Sequence, residues 1–174
     1  MNDINRLPQF KYHPNLYQSG VVEFAKGICQ CCEKEVTAYI RSMYCINTRV
    51  DCICLDCVAS GKAAEKFNGD FIQDAEKQVS DANRTEELFK RTPGYISWQG
   101  EYWLVCCDDY CAYIGTVGTK ELEEMGIADQ VFTEYEDRNE YDDAREYLEK
   151  DSSFCGYLFQ CLHCGKYHLW VDAD

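Results

Sequence analysis

Residues 29–57 read CQCCEKEVTAYIRSMYCINTRVDCICLDC, and the cysteine spacing in this stretch decides the fold. Cys29 and Cys32 form one C-x2-C pair, and after 21 intervening residues Cys54 and Cys57 form a second. Zinc takes four thiolates in a tetrahedron with sulfur at about 2.3 Å. Two cysteines separated by two residues reach one ion from a tight turn, and two such pairs close the tetrahedron. Between them Val36-Thr37-Ala38-Tyr39-Ile40 is β-branched and aromatic and reads as a strand. Cys57 to Phe67 reads as a short helix, with Gly61 its weak point. Turn, β segment, then a cysteine pair at a helix start is the layout of a treble-clef zinc finger, and a helix N-terminus favours thiolates. Cys31 could stand in for Cys29, and Cys52 is a spare. The bland alternative is that these cysteines pack as small buried hydrophobes.

A related pattern closes the chain. Cys161-Leu162-His163-Cys164-Gly165 sits between two apolar runs, Tyr157 to Gln160 and Lys166 to Val171, and reads as strand, tight turn, strand. Gly165 permits the left-handed residue that such a knuckle needs. No second C-x2-C accompanies it. The nearest pair is Cys107-x3-Cys111, with 49 residues between it and Cys161. Cys107, Cys111, Cys161 and Cys164 are therefore the expected second zinc set, with Cys106 or His168 as alternative fourth ligands. His163 and His168 taken singly read as partly exposed strand histidines. Two structural sites use 8 of the 13 cysteines, and each Zn2+ with four thiolates carries a net charge of about -2.

The rest of the composition fits this reading. A chain of 174 residues with 46% hydrophobic and 14% aromatic content excludes a disordered polymer and suits one domain, 1–174. Within it we expect a treble-clef-like subregion at about 27–67 and a C-terminal part at about 91–174. No apolar run approaches the roughly 20 residues of a membrane span. The polar start Met1-Asn2-Asp3-Ile4-Asn5-Arg6 lacks the layout of a signal peptide. An odd number of cysteines fits a reducing compartment, so a soluble cytoplasmic protein is expected. Asp and Glu outnumber Lys and Arg by 31 to 17, a net charge of -14 with no basic cluster. Such a surface repels nucleic-acid phosphates and suits a basic protein partner.

Other elements follow from local signals. Phe10-Lys11-Tyr12-His13-Pro14 reads as an extended arm. Residues 68–83 are polar and read as loop with some helix. Asn83-Arg84-Thr85-Glu86 offers a capping box for a helix through Leu88 and Phe89, ending at Thr92-Pro93-Gly94. Tyr95–Gln99 and Tyr102–Val105 read as two strands around Gly100-Glu101. Thr119 caps a helix to Met125 with Gly126 as its stop, and Ile127–Tyr135 continues helically. Tyr141, Ala144, Tyr147 and Leu148 share one helix face within the acidic stretch 134–151. The fold class expected is α+β: short antiparallel strands and three to five small helices, with treble-clef-like and zinc-hairpin four-cysteine sites.

Phe10–Pro14, the Cys29-x-Cys31-Cys32 cluster, Cys54-x2-Cys57, Ala63–Phe67, Arg91–Gln99, Cys107-x3-Cys111-Ala112 and Cys161–Gly165 occur in this order. Together they resemble the CbrC-like family, a bacterial family associated by name with colicin tolerance. The sequence departs from that family at Asn15-Leu16, where Asp-Pro is common, and at Glu33, where the first knuckle commonly has Gly. The resemblance implies a bacterial cytosolic protein with cysteine-bound metal and supplies no reaction. Two functions are open. One is a non-enzymatic protein of tolerance or immunity type whose acidic surface masks a basic toxin such as a nuclease. The alternative is a metal- or thiol-dependent enzyme of unknown substrate. It would draw on the surplus Cys31, Cys45, Cys52, Cys106 and Cys155, and on a pocket lined by Tyr95, Trp98, Tyr102 and Trp103. Those aromatics read equally as core. No H-E-x-x-H, deaminase, G-x-S-x-G, Walker or Rossmann pattern is present, and acidic pairs such as Asp108-Asp109 and Asp142-Asp143 read as solvated charge.

Overall fold

The computed structural model describes residues 6–46, 48–137 and 143–173. Met1–Asn5 of the polar start and residues 138–142 of the acidic stretch 134–151 lie outside them. The architecture is α+β, with mostly antiparallel strands and six short helices among the described residues.

The first unit is assembled from very short pieces. Strands β1 (Gly27–Ile28) and β2 (Glu35–Val36) pair antiparallel around the first cysteine knuckle. Strands β3 (Tyr39–Ile40) and β4 (Ile53–Cys54) form a second antiparallel pair that runs straight into helix α1 (Leu55–Ala59). The single strand expected over Val36–Ile40 is thus split, because Val36 pairs with Gly27 while Tyr39 pairs with Cys54. The helix expected over Cys57–Phe67 is split as well. Gly61 takes φ 75°, ends α1 and opens α2 (Lys62–Phe67). Phe10, Leu16, Ile40, Ile53, Leu55, Val58 and Phe71 fill the core of this unit.

A connecting region follows. Helix α3 (Ala82–Arg91) starts one residue before Asn83, because Asp81 is the cap and its carboxylate accepts the Asn83 amide (2.9 Å). It stops at Thr92, which turns extended ahead of Pro93. Tyr95–Gln99 forms no strand. The Tyr95 hydroxyl instead accepts the Tyr102 amide (2.9 Å) and donates to the Tyr102 carbonyl (3.1 Å), so a side chain does the work of a ladder pair. The backbone amides of Trp98 and Gln99 donate to the Asp172 carboxylate. Tyr102–Trp103 (β6) pairs in parallel with Asp74–Ala75 (β5). Strands β7 (Val105–Cys106) and β8 (Asp109–Tyr110) then make a tight hairpin.

The third part is a meander of β9 (Ala112–Val117), β10 (Phe154–Gln160) and β11 (Tyr167–Ala173), in the order β11-β10-β9. Successive β10 side chains point to opposite faces. Tyr157 and Phe159 enter an aromatic core with Tyr95, Trp103 and Tyr113, whereas Leu158 joins Leu169 and Val171 in a core closed by helix α5 (Ala128–Glu136). Both faces are therefore covered, which explains the unbroken apolar run in β10. Tyr95 stacks on Tyr113 with centroids 4.4 Å apart. Helix α4 (Thr119–Glu124) is capped by Gly118 rather than Thr119, and Gly126 at φ 71° follows it. The expected face of Ala144, Tyr147 and Leu148 becomes the single turn α6 (Ala144–Tyr147) with Leu148 as its C-cap. No helix among the described residues is long and apolar enough to cross a membrane.

Candidate metal centres

Two groups of four cysteines come together, each with all sulfurs within 4.8 Å of one another. A tetrahedron with metal–sulfur bonds of 2.3 Å has edges of about 3.8 Å. The Cys32–Cys54, Cys106–Cys107 and Cys106–Cys164 sulfur pairs stand at 3.9, 3.8 and 3.8 Å. The residues fit a four-coordinate thiophilic ion and leave no coordination position open. Both clusters could hold a metal ion.

The first site gathers Cys29, Cys32, Cys54 and Cys57. Cys29 and Cys32 sit at the tip of β1–β2, Cys54 ends β4, and Cys57 lies in the first turn of α1. Knuckle, hairpin and helix start thus appear in treble-clef order. The Cys29 amide donates to the Lys34 carbonyl (2.9 Å) and the Glu33 amide to the Cys29 carbonyl (2.7 Å), which folds the knuckle. Gln30 ties its tip to the approach to β4, its side-chain oxygen accepting the amides of Asp51 (2.7 Å) and Cys52 (3.0 Å). Lys66 donates to the carbonyls of Gln30 and Cys31, setting a cation beside the site. Cys31 packs at the edge of the first core, and Cys52 lies outside the group.

The second site gathers Cys106, Cys107, Cys161 and Cys164. Its knuckle repeats the first. The Cys161 amide donates to the Lys166 carbonyl (2.8 Å) and the Gly165 amide to the Cys161 carbonyl (3.1 Å). The other two sulfurs come from the tip of β7–β8, where Cys107 and Asp108 have φ 51° and 56° and make a two-residue turn.

This turn corrects one expected ligand. Cys111 does not reach the cluster; Cys106 stands where the sequence reading had it. With the chain reversing at Cys107–Asp108, Cys111 falls on the inward side and is fully buried in the aromatic core. Its amide bonds Leu104 and its carbonyl accepts the Trp103 indole. The signal available in the sequence was Cys-Asp at the centre of Val-Cys-Cys-Asp-Asp-Tyr, since Asp tolerates the left-handed turn. Neither histidine joins a cluster. His168 is buried on β11 with Nδ1 2.7 Å from Glu134 Oε1, and His163 sits in the knuckle with Nε2 2.9 Å from Asp109 Oδ2.

The first cysteine of each knuckle is brought down. Burial pushes Cys29 up, but the amides of Cys54, Cys32 and Cys31 outweigh it and bring it down to about 7. Burial likewise opposes Cys161, and the amides of Cys164 and His163 bring it down to about 6. Cys54 rises to about 11 and Cys57 and Cys106 also rise, through burial and the neighbouring thiols. An incoming cation must therefore displace protons from Cys54, Cys57 and Cys106.

Of the aromatics considered for a pocket, Tyr95 and Trp103 are core, and Tyr102 packs against Trp170 at 4.3 Å. Trp98 is exposed and lines an open groove of about 1010 Å³ between β9, β10 and the loop at 96–98.

Residues 7–173 match the family described as "Uncharacterised protein family (UPF0167)". A UPF0167 protein of Pseudomonas aeruginosa is 34% identical over 174 residues, covering 95% of this chain and 97% of its own length. UPF0167 proteins of Mycobacterium bovis and Mycobacterium tuberculosis are each 34% identical over 181 residues, covering 96% of this chain and 94% of theirs. No solved structure matches. These findings correct the resemblance drawn from the motifs: neither a CbrC-like nor a colicin-tolerance family is supported, and the relatives' names carry no tolerance role. The chain belongs to the UPF0167 family.

Proposed function

We propose that this chain is a non-enzymatic zinc protein of the bacterial cytoplasm, in which two structural Zn2+ ions hold a scaffold that binds a basic protein partner. The observation that carries the metal half is the pair of closed, all-cysteine clusters at tetrahedral spacing. Catalytic zinc keeps a position for water or substrate, and structural zinc does not. Zinc is the natural occupant of four thiolates in a reducing compartment.

Support for the partner comes from charge and from the groove. The chain carries -14 before any thiolate is counted. Ile96, Trp98 and Met125 stand 64%, 56% and 44% exposed along the groove. Glu121, Glu124 and Asp151 rim it against a single lysine, Lys150. An apolar segment flanked by Lys or Arg matches that combination. The thiol-enzyme alternative gains nothing from Cys155, the surplus cysteine at the groove: burial pushes its thiol up, away from the reactive thiolate.

The test is purification of the tagged chain, reduced and at low salt, from its host, followed by titration of any co-purified basic protein. We expect affinity to fall as salt rises and to be lost in Ile96→Glu. A complex insensitive to both salt and Ile96→Glu would contradict the reading.

A further inference from the structure

The second cluster differs from the first in how its halves are joined. In the first, β4 runs directly between the β3–β4 hairpin and α1, so the backbone itself fixes Cys54 and Cys57. In the second, 53 residues separate Cys107 from Cys161, against 21 between Cys32 and Cys54 in the first, and among the described residues no backbone element joins its two ligand-bearing hairpins directly. Between them lies one carboxylate. Asp109 sits opposite Cys106 in the β7–β8 register and is 1% exposed. Its Oδ2 lies 2.9 Å from Nε2 of His163, the residue between the two knuckle cysteines. The His163 amide in turn donates to the Cys161 sulfur (3.4 Å). Oδ2 also accepts Lys11 Nζ (3.0 Å), and Oδ1 accepts the Tyr12 hydroxyl (2.7 Å) and the Tyr110 amide (2.9 Å). Arg84 of α3 stands at 3.8 Å.

We infer that Asp109 is the positioning residue of the second metal site, a bolt that joins the Cys106–Cys107 hairpin to the Cys161–Cys164 knuckle through His163. The inference rests on the metal reading above. Asp109 is not a ligand. It acts by holding four sulfurs at bonding separation before the ion arrives, so that binding does not have to order two distant hairpins. A buried carboxylate that takes donors from the arm, from α3 and from the knuckle is built for this task, because removing any one donor leaves the others in place. Outer partners of this kind typically change metal affinity by about 10–100-fold.

The experiment loads the full chain with 113Cd2+ and records one resonance per site, then measures release of Zn2+ to a competing chromophoric chelator. In Asp109→Asn we expect second-site release to become about 10–100-fold easier and only that site's resonance to move. His163→Ala, whose side chain is half exposed, should do the same and carries the test if the buried substitution prevents folding. The double variant should lose little more than either single one, since both cut one link. Unchanged release in both variants would overturn the inference, and so would equal weakening of both sites, which is the mark of general destabilisation. A wild-type chain that binds no metal overturns the metal reading instead, and the inference with it.

Discussion

Glu33 and Gly165 occupy the same position in two knuckles and show what a single residue contributes. Both follow the second cysteine, both are left-handed at φ 61° and 74°, and both donate to the carbonyl of the first cysteine. Holding an L side chain there costs roughly 1 kcal/mol. Glu33→Gly should therefore raise unfolding free energy by up to about 1 kcal/mol, less the added flexibility of the unfolded chain. Gly165→Ala should lower it by about 1 kcal/mol, since an added Cβ meets nothing within 4 Å and only the backbone resists. Chemical denaturation of both variants checks the pair of signs. His13 supplies a pH dependence. Burial among Tyr113 and Trp103 lowers it to about 4, against a single opposing bond to the Pro93 carbonyl. Between pH 6.5 and about 4 the unfolded chain takes up a proton that the native chain refuses. Stability present above pH 6.5 is thus lost as pH falls, by about 3 kcal/mol in full. His13→Gln can keep the Pro93 bond without titrating. The stability of the wild type relative to His13→Gln, followed by thermal melts, should stay constant above pH 6.5 and fall steadily as pH drops toward about 4.

At the scale of elements, the three-stranded sheet is the most demanding part. A Cβ on Gly156 would approach Leu169, Leu148 and the Val117 carbonyl to within 2.8–2.9 Å. Gly156→Ala should cost about 1–3 kcal/mol by overpacking while leaving the metal count unchanged. Circular-dichroism melts with parallel metal analysis test both halves of that statement. Elements governed by local chemistry were readable in the sequence. The terminal hairpin followed from two apolar runs around Cys-Leu-His-Cys-Gly. Helix α3 followed from its polar start and its Thr-Pro-Gly stop. What escaped was set by distant partners. Tyr95–Gln99 has strand composition, yet the amides of Trp98 and Gln99 go to Asp172, 73 or more residues away, and the Tyr95 hydroxyl bonds the backbone of Tyr102. Strand β6 pairs with β5 across α3. No periodicity within either segment reports that. The second four-cysteine group was half legible for the same reason. The knuckle is a local motif, but choosing Cys106 over Cys111 required the handedness of a two-residue turn.

Taken as a whole molecule, the described residues form three cores and two four-cysteine groups, the first among very short strands and the second at the tip of the long β10–β11 hairpin. The first core is lined by strands of two residues and by Cys29, Cys54 and Cys57 themselves. Stripping metal with a strong chelator under reducing conditions should therefore unfold residues 27–67 before the β9–β10–β11 sheet. Hydrogen exchange would show this as loss of amide protection at Cys29, Glu33 and Cys54 while Tyr157 and Leu169 stay protected. Simultaneous loss everywhere would show that the cores are not separable.

The central claim is that two zinc ions are each held by four cysteines, with Cys106 a ligand and Cys111 a core residue. Native mass spectrometry of the reduced chain and two variants tests it most directly. The account predicts two Zn2+ in the wild type, one in Cys106→Ala and two in Cys111→Ala. A wild-type chain without zinc, or a Cys111→Ala chain that loses an ion while Cys106→Ala keeps both, would contradict it.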